Sequence, residues 1–171
     1  MPIEIRPSSI QGVGVFATGA IAAGQVVHRI DDSRVVDDAH PLRPELGENP
    51  IHRDWLPDGT TVLMLAPAGR INHSCSPNVY VYSAQCVRFV LAMRDIDADQ
   101  ELLFDYSIGS IDGDVWDCEC GAANCRGRHK CDFFHLPVQR QLDYLPYLDP
   151  WFAEVHSDRI LSLLEAGARQ R

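Results

Sequence analysis

Lysine is almost absent from this chain of 171 residues: of its 15 basic residues, all but Lys130 are arginine. Positive charge is also outnumbered, and the formal net charge is -9 at pH 7. A nucleic-acid binder would carry a basic footprint, so direct nucleic-acid binding is not expected. A net negative field instead favours encounter with basic partners. Long apolar runs are missing too. Nothing approaches the roughly 20 residues needed to cross a bilayer, and no membrane association is expected. The opening Met1-Pro2-Ile3-Glu4-Ile5-Arg6 lacks the basic-then-apolar build of an export signal. The expected location is intracellular: cytoplasmic in a bacterium, cytoplasmic or nuclear in a eukaryote.

Cysteine is not scarce. There are six, and in a reducing compartment a dense cluster points to metal rather than disulfides. Cys118, Cys120 and Cys125 fall within eight residues, in Cys118-Glu119-Cys120-Gly121-Ala122-Ala123-Asn124-Cys125. Tetrahedral zinc takes four soft ligands. The fourth is either Cys75, at the end of Asn72-His73-Ser74-Cys75, or the local Cys131. With Cys75, one structural zinc would weld the far part of the chain onto its middle. Cys86 and whichever cysteine remains default to a packing role.

The first third reads as short strands and turns. β-branched and aromatic residues stand beside glycine in Gly12-Val13-Gly14-Val15-Phe16-Ala17 and in Gly24-Gln25-Val26-Val27. Between Asp31 and Gly59, Pro41, Pro44, Pro50 and Pro57 exclude a long helix. That stretch is expected to be an irregular insert with one short helix, and such long loops are usually functional. Strands are expected over 60–65 and 101–106, and in a hairpin of 79–82 with 86–91 around Ser83-Ala84-Gln85. Helical spacing takes over near the C-terminus. Asp149-Pro150 offers a cap and a first-turn proline for a helix running to Gly167, with a shorter one over 138–148.

Single motifs do not name a function. Gly12-Val13-Gly14 lacks the third glycine and βαβ frame of a dinucleotide site. His73 and Ser74 are neighbours on an extended segment and so point to opposite sides, which disfavours a nucleophile–base pair. Tyr106 at the end of Phe104-Asp105-Tyr106, taken alone, reads as a half-buried hydrogen-bonding residue.

Taken in order, Gly12–Ala17, Asn72–Asn78, Glu101–Tyr106 and the Cys-x-Cys-x4-Cys segment resemble the SET-domain protein lysine methyltransferases. The likeness covers roughly residues 3–30 and 60–136, and the tail resembles that of small free-standing, often bacterial, members. It implies a mainly β SET fold (β-clip) of several small sheets with a pseudoknot, a post-SET zinc segment and C-terminal helices. The implied division is a SET domain over 1–108 with a variable insert at about 31–59, a post-SET segment over 109–136 and a helical extension over 137–171. Cys75 joins Cys118, Cys120 and Cys125 on one Zn2+ in that scheme.

The activity implied is transfer of a methyl group from S-adenosyl-L-methionine to a lysine in a basic segment of a protein substrate. Gly12, Val13, Gly14, Val15, Asn72 and His73 would hold the cofactor, and Phe133 or Phe134 with Leu136 would cover its adenine. Tyr106 matches the active-site tyrosine and also touches the cofactor. Phe104 and Tyr80 would line the lysine channel, and a phenylalanine at 104 leaves room for more than one methyl. The chain departs from the family at Arg29-Ile30-Asp31-Asp32-Ser33, where a tyrosine and a Gly-Glu pair are usual, and at Gly69-Arg70. A catalytically inactive, zinc-containing interaction module on the same fold is the alternative reading.

Overall fold

The structure is a computed structural model that describes residues 2–111 and 113–169. Eleven short strands make four small sheets among the described residues. The central sheet has the order β1-β2-β9-β6, built from β1 (Ile3–Pro7), β2 (Val13–Ala17), β6 (Asn72–His73) and β9 (Glu101–Phe104). β6 runs parallel to β9, with Asn72 opposite Leu103 and His73 opposite Phe104. Just beyond it, the buried Asn78 stands in for a strand. Its side-chain amide donates to the Glu101 carbonyl at 2.8 Å and accepts from the Leu103 N–H at 2.7 Å. Buried amides need such partners, and here they pin the whole 72–78 segment along β9.

A second sheet, β3-β8-β7, contains β3 (Val26–Arg29) and the hairpin of β7 (Val79–Ala84) with β8 (Val87–Ala92). The turn is shorter than the sequence led us to expect. Only Gln85 and Cys86 bridge the strands, both at positive φ (50° and 62°). That backbone matches the strand twist in a two-residue hairpin, and it moves Cys86 out of β8. Alternation along β8 buries Arg88, Val90 and Ala92. Val15, Ala17, Val27, Val79, Val90, Ile96 and Leu102 form one core between the two sheets.

The insert is more ordered than its prolines suggest. It holds two 3-10 turns (Pro44–Leu46 and Pro50–His52) and β4 (Arg53–Trp55), which pairs with β5 (Thr61–Leu63). The cysteine segment contains an unanticipated ribbon, β10 (Val115–Asp117) with β11 (Arg128–Lys130). Helices α1 (Val138–Tyr144), α2 (Pro150–Val155) and α3 (Ser157–Ala168) close the chain. The single helix expected from Asp149 onward is thus two, broken at His156. Asp149 does cap α2, accepting from the Trp151 N–H. Phe133, Leu136, Tyr144, Leu148, Phe152 and Leu163 make a second core, and Phe104 packs against both cores.

Candidate active site and metal centre

Two strand ends and the cysteine ribbon meet at β6. Asn72, buried, projects its amide onto β2. The Nδ2 atom donates to the Val13 carbonyl at 3.1 Å and the Glu101 carboxylate at 2.8 Å, and Glu101 is anchored in turn by Ser8. A Cβ at Gly14 would lie 2.0 Å from Glu101 Oε1, so any side chain there would push this carboxylate off Asn72. Gly12 has φ +49° and nothing within 4 Å of a would-be Cβ. No side chain crowds Gly12, while its carbonyl accepts from the Ser8 N–H and that of Val13 from Asn72.

The His73 side chain leaves β6 on the face opposite Asn72, with Tyr106 packed beside it. The Tyr106 hydroxyl donates to the Ile71 carbonyl at 2.7 Å. Burial, with the nearby Cys131, pushes its pKa up to about 12, so it remains a neutral phenol. The His73 ring lies 5.3 Å from the Tyr106 ring, 5.7 Å from Trp116 and 4.0 Å from His129. Burial, the His129 ring and Arg126 hold its pKa down to about 4 against the opposing pull of Asp105. The ring is neutral. Phe104 lies 6.0 Å from Tyr106.

Below His73 the four sulfurs of Cys75, Cys118, Cys120 and Cys125 lie within 4.8 Å of one another. Cys75 Sγ and Cys118 Sγ are 3.9 Å apart. That is far beyond a disulfide bond, and close to the roughly 3.8 Å that zinc–sulfur bonds of about 2.3 Å give between corners of a tetrahedron. Main-chain N–H groups of Cys75, Arg126 and Gly127 point at Cys120, Cys75 and Cys125 sulfurs at 3.4–3.5 Å. Burial raises the Cys75 and Cys118 thiols. Burial also opposes ionisation of Cys120, yet N–H groups of Cys75 and Ala122 and the neighbouring thiols draw it down to about 6. Four clustered sulfurs, buried or half-buried, with amide donors and no disulfide suit a thiophilic dication. Cys131 stands outside the set, its sulfur 3.8 Å from His129 Nε2.

The ribbon is tied down beside the cluster by a charge pair. Asp105, 0% exposed, receives both terminal nitrogens of Arg126 at 2.7 and 2.9 Å, the Tyr144 hydroxyl at 3.1 Å and the Ser107 N–H at 3.1 Å. Burial alone would raise this carboxyl, but Arg126 holds it below the usual carboxylate range. Thus β9, the cysteine segment and α1 all end on one carboxylate, next to Tyr106.

Of the residues singled out from sequence, the structure sets Val13 and Gly14 against Asn72, and gathers His73, Phe104 and Tyr106 beside the four cysteines. Phe133, Phe134 and Leu136 fall elsewhere. Phe133 is fully buried at 0% exposure in the C-terminal core, with no face left to cover an adenine. Phe134 is stacked on Phe152 and capped by Arg159, and Leu136 is buried among the same helices. Short helices need aromatic filling to make a core, and these residues supply it. Tyr80 pairs with Tyr147 at 5.1 Å. The aromatic rings that do meet His73 and Tyr106 are Trp116 and His129, which sequence reasoning passed over. Their only signal was alternation within β10 and β11, masked by the surrounding cysteines and glycines.

The SET domain family model matches residues 12–107, more than half of the chain. "Histone-lysine N-methyltransferase, H3 lysine-36 specific" of Aspergillus oryzae is 42% identical over 60 residues, 33% of this chain and 6% of that protein. "Histone-lysine N-methyltransferase, H3 lysine-4 specific" of Saccharomyces cerevisiae is 29% identical over 142 residues, 74% of this chain and 13% of that protein. The chain thus spans only a small part of these relatives. Among solved structures, that of KRYPTONITE in complex with mCHG DNA and SAH has a TM-score of 0.55 at 25% identity, covering 74% of this chain and 28% of that one. No helix among the described residues is long and apolar enough to cross a membrane. With the parallel β6–β9 pairing, the Asn72–Cys75 segment and the matched span in agreement, the chain belongs to the SET-domain family.

Proposed function

We propose that this chain is an S-adenosyl-L-methionine-dependent protein-lysine N-methyltransferase carrying one structural zinc ion. The observation that carries the reading is strand β6, whose Asn72 holds the Val13 carbonyl on one face while His73 packs against Tyr106 and the four-sulfur cluster on the other. Methyltransferase relatives of the same family add support.

The main chain of Gly12, Val13, Gly14 and Val15, with Asn72 and His73, would hold the cofactor, and Cys75, Cys118, Cys120 and Cys125 would hold the metal. Bound S-adenosyl-L-methionine supplies an activated methyl group on a sulfonium leaving group. The protein's own contribution is mainly alignment, from which much of a barrier can be recovered. Tyr106, pushed up to about 12, is too weak an acid to ionise at neutral pH. It therefore acts as an oriented dipole rather than a base. A lysine amine, with a reference pKa of about 10.4, must lose its proton by burial in an apolar bore, for which Phe104 and Tyr106 supply walls. The Phe104 ring carries no hydroxyl to hold a crowding water, which favours addition of more than one methyl.

On this reading residues 1–108 are the catalytic domain, 109–136 the zinc segment and 137–171 a helical brace. The net negative charge suits a lysine within a basic segment of a protein substrate inside the cell. Radiolabelled methyl transfer to a panel of basic proteins tests the proposal. Label is expected on at least one, and Tyr106→Phe should lower its rate by about 100-fold. Absence of label on every protein, with cofactor still bound, would favour the inactive interaction module. Mass spectrometry should find fewer methyls per lysine with Phe104→Tyr, and an unchanged product distribution would discard that role.

A further inference from the structure

We propose that the His73 side chain is a positioning residue that links the metal cluster to Tyr106, with Nδ1 accepting from the Tyr106 N–H and an Nε2–H donating to Cys75 Sγ. The inference rests on the zinc and methyl-transfer reading above and adds to it a role for the imidazole itself.

The tautomer follows from the partners. The Tyr106 main-chain nitrogen lies 3.3 Å from His73 Nδ1. A peptide N–H can only donate, so Nδ1 must present its lone pair. With Nδ1 bare, the ring proton is on Nε2. That atom lies 3.6 Å from Cys75 Sγ. His73 and Cys75 are two apart on an extended segment and so point to the same side.

The opposite tautomer would have only crowded acceptors for its proton: the Phe104 carbonyl beside the ring already takes the Ser74 N–H. Asp105 Oδ1 is 3.8 Å from Nδ1, and that carboxylate is already engaged by Arg126, Ser107 and Tyr144. Nor can the ring swing away, since Tyr106, Trp116 and His129 enclose it. Metal ligands are oriented by such outer partners. The one at Cys75 is also the acceptor that fixes the main chain of Tyr106. A rival use of the same atoms is a second metal site, since His73, Cys75 and His129 also lie within 4.8 Å. Against it, His129 Nδ1 already takes a 2.6 Å contact from the Arg126 guanidinium, a poor neighbour for another dication.

Cobalt substituted for zinc in the full chain reports on the sulfurs directly, through the thiolate-to-metal absorption band. His73→Phe should bind one cobalt, shift that band to lower energy and reduce kcat by about tenfold, with a smaller change in KM. His73→Gln, whose amide can reach toward Cys75, should restore the wild-type band. Nitrogen-15 NMR of the wild-type histidines should show Nε2 protonated and Nδ1 bare. A band unmoved in a His73→Phe protein that still binds one cobalt would overturn the link while leaving the metal reading intact. A proton on Nδ1, or two metals per chain with a His73 nitrogen ligated, would also overturn it. A wild-type chain that binds no cobalt would sink the metal reading and the link together.

Discussion

The insert over 31–59 and the cysteine segment over 113–132 are both poor in apolar residues, and they are held by opposite means. In the insert, Glu48 takes Arg34 at 2.7 Å and Arg43 at 2.6 Å, and Arg88 of β8 reaches out to Asp32 and Asp54. Its larger apolar side chains face water: Leu46, Ile51 and Trp55 are 66%, 72% and 60% exposed. The cysteine segment is anchored instead by its three cysteines clustered with the buried Cys75 and by Arg126 on the fully buried Asp105. The Arg88 guanidinium is buried, but its partners Asp32 and Asp54 reach toward solvent, at 18% and 34% side-chain exposure, and there they compete with water and salt. The cysteine segment cannot move without disturbing Asp105 and Tyr106.

That contrast can be broken from its strong side first. Cys75→Ser should strip the metal and lower methyl transfer by at least the roughly 100-fold seen when a metal's outer partners are lost. Elemental analysis and labelling check both effects. Cys131→Ser should keep its zinc, and equal loss in the two variants would exclude the four-sulfur clasp. Asp105→Asn comes next. It strands the Arg126 guanidinium among buried groups and should cost about 3–5 kcal/mol in urea unfolding. Arg88→Met should cost less, about 1–2 kcal/mol, because Asp32 and Asp54 can turn to water. Its effect should shrink in high salt, whereas that of Asp105→Asn should not. If the two substitutions share one salt dependence, the distinction between the regions fails.

Much of this architecture was legible where chemistry is local. Alternating side chains announced β7 and β8, Asp149-Pro150 announced α2, and the cysteine spacing announced a cluster able to hold a metal, with Cys75 as one of two candidates for its fourth sulfur. The misreadings have local causes as well. The Gln85-Cys86 turn carries no glycine, so Cys86 was taken for strand and Ser83 and Ala84 for turn, and β4 was hidden among prolines. His156 breaks the last helix without a proline or glycine to mark it. Three further features left no trace, because they are pairings between distant segments: Arg126 with Asp105, Tyr144 with the same carboxylate, and Trp116 and His129 against His73. Phe133 and Phe134 were open to either use, since an aromatic residue reads the same whether it faces a ligand or a core.

By itself, the order of residues determined which atoms were on hand: sulfurs able to grip a dication, a glycine that keeps a strand bare, a phenol closing a strand. Folding decided which of them meet. Cys75 rather than Cys131 completes the cluster, Trp116 and His129 rather than Phe133 enclose His73, and one carboxylate collects three segments. Such contacts depend on chain segments tens of residues apart being brought within a few ångströms, and short-range propensities carry no record of that approach.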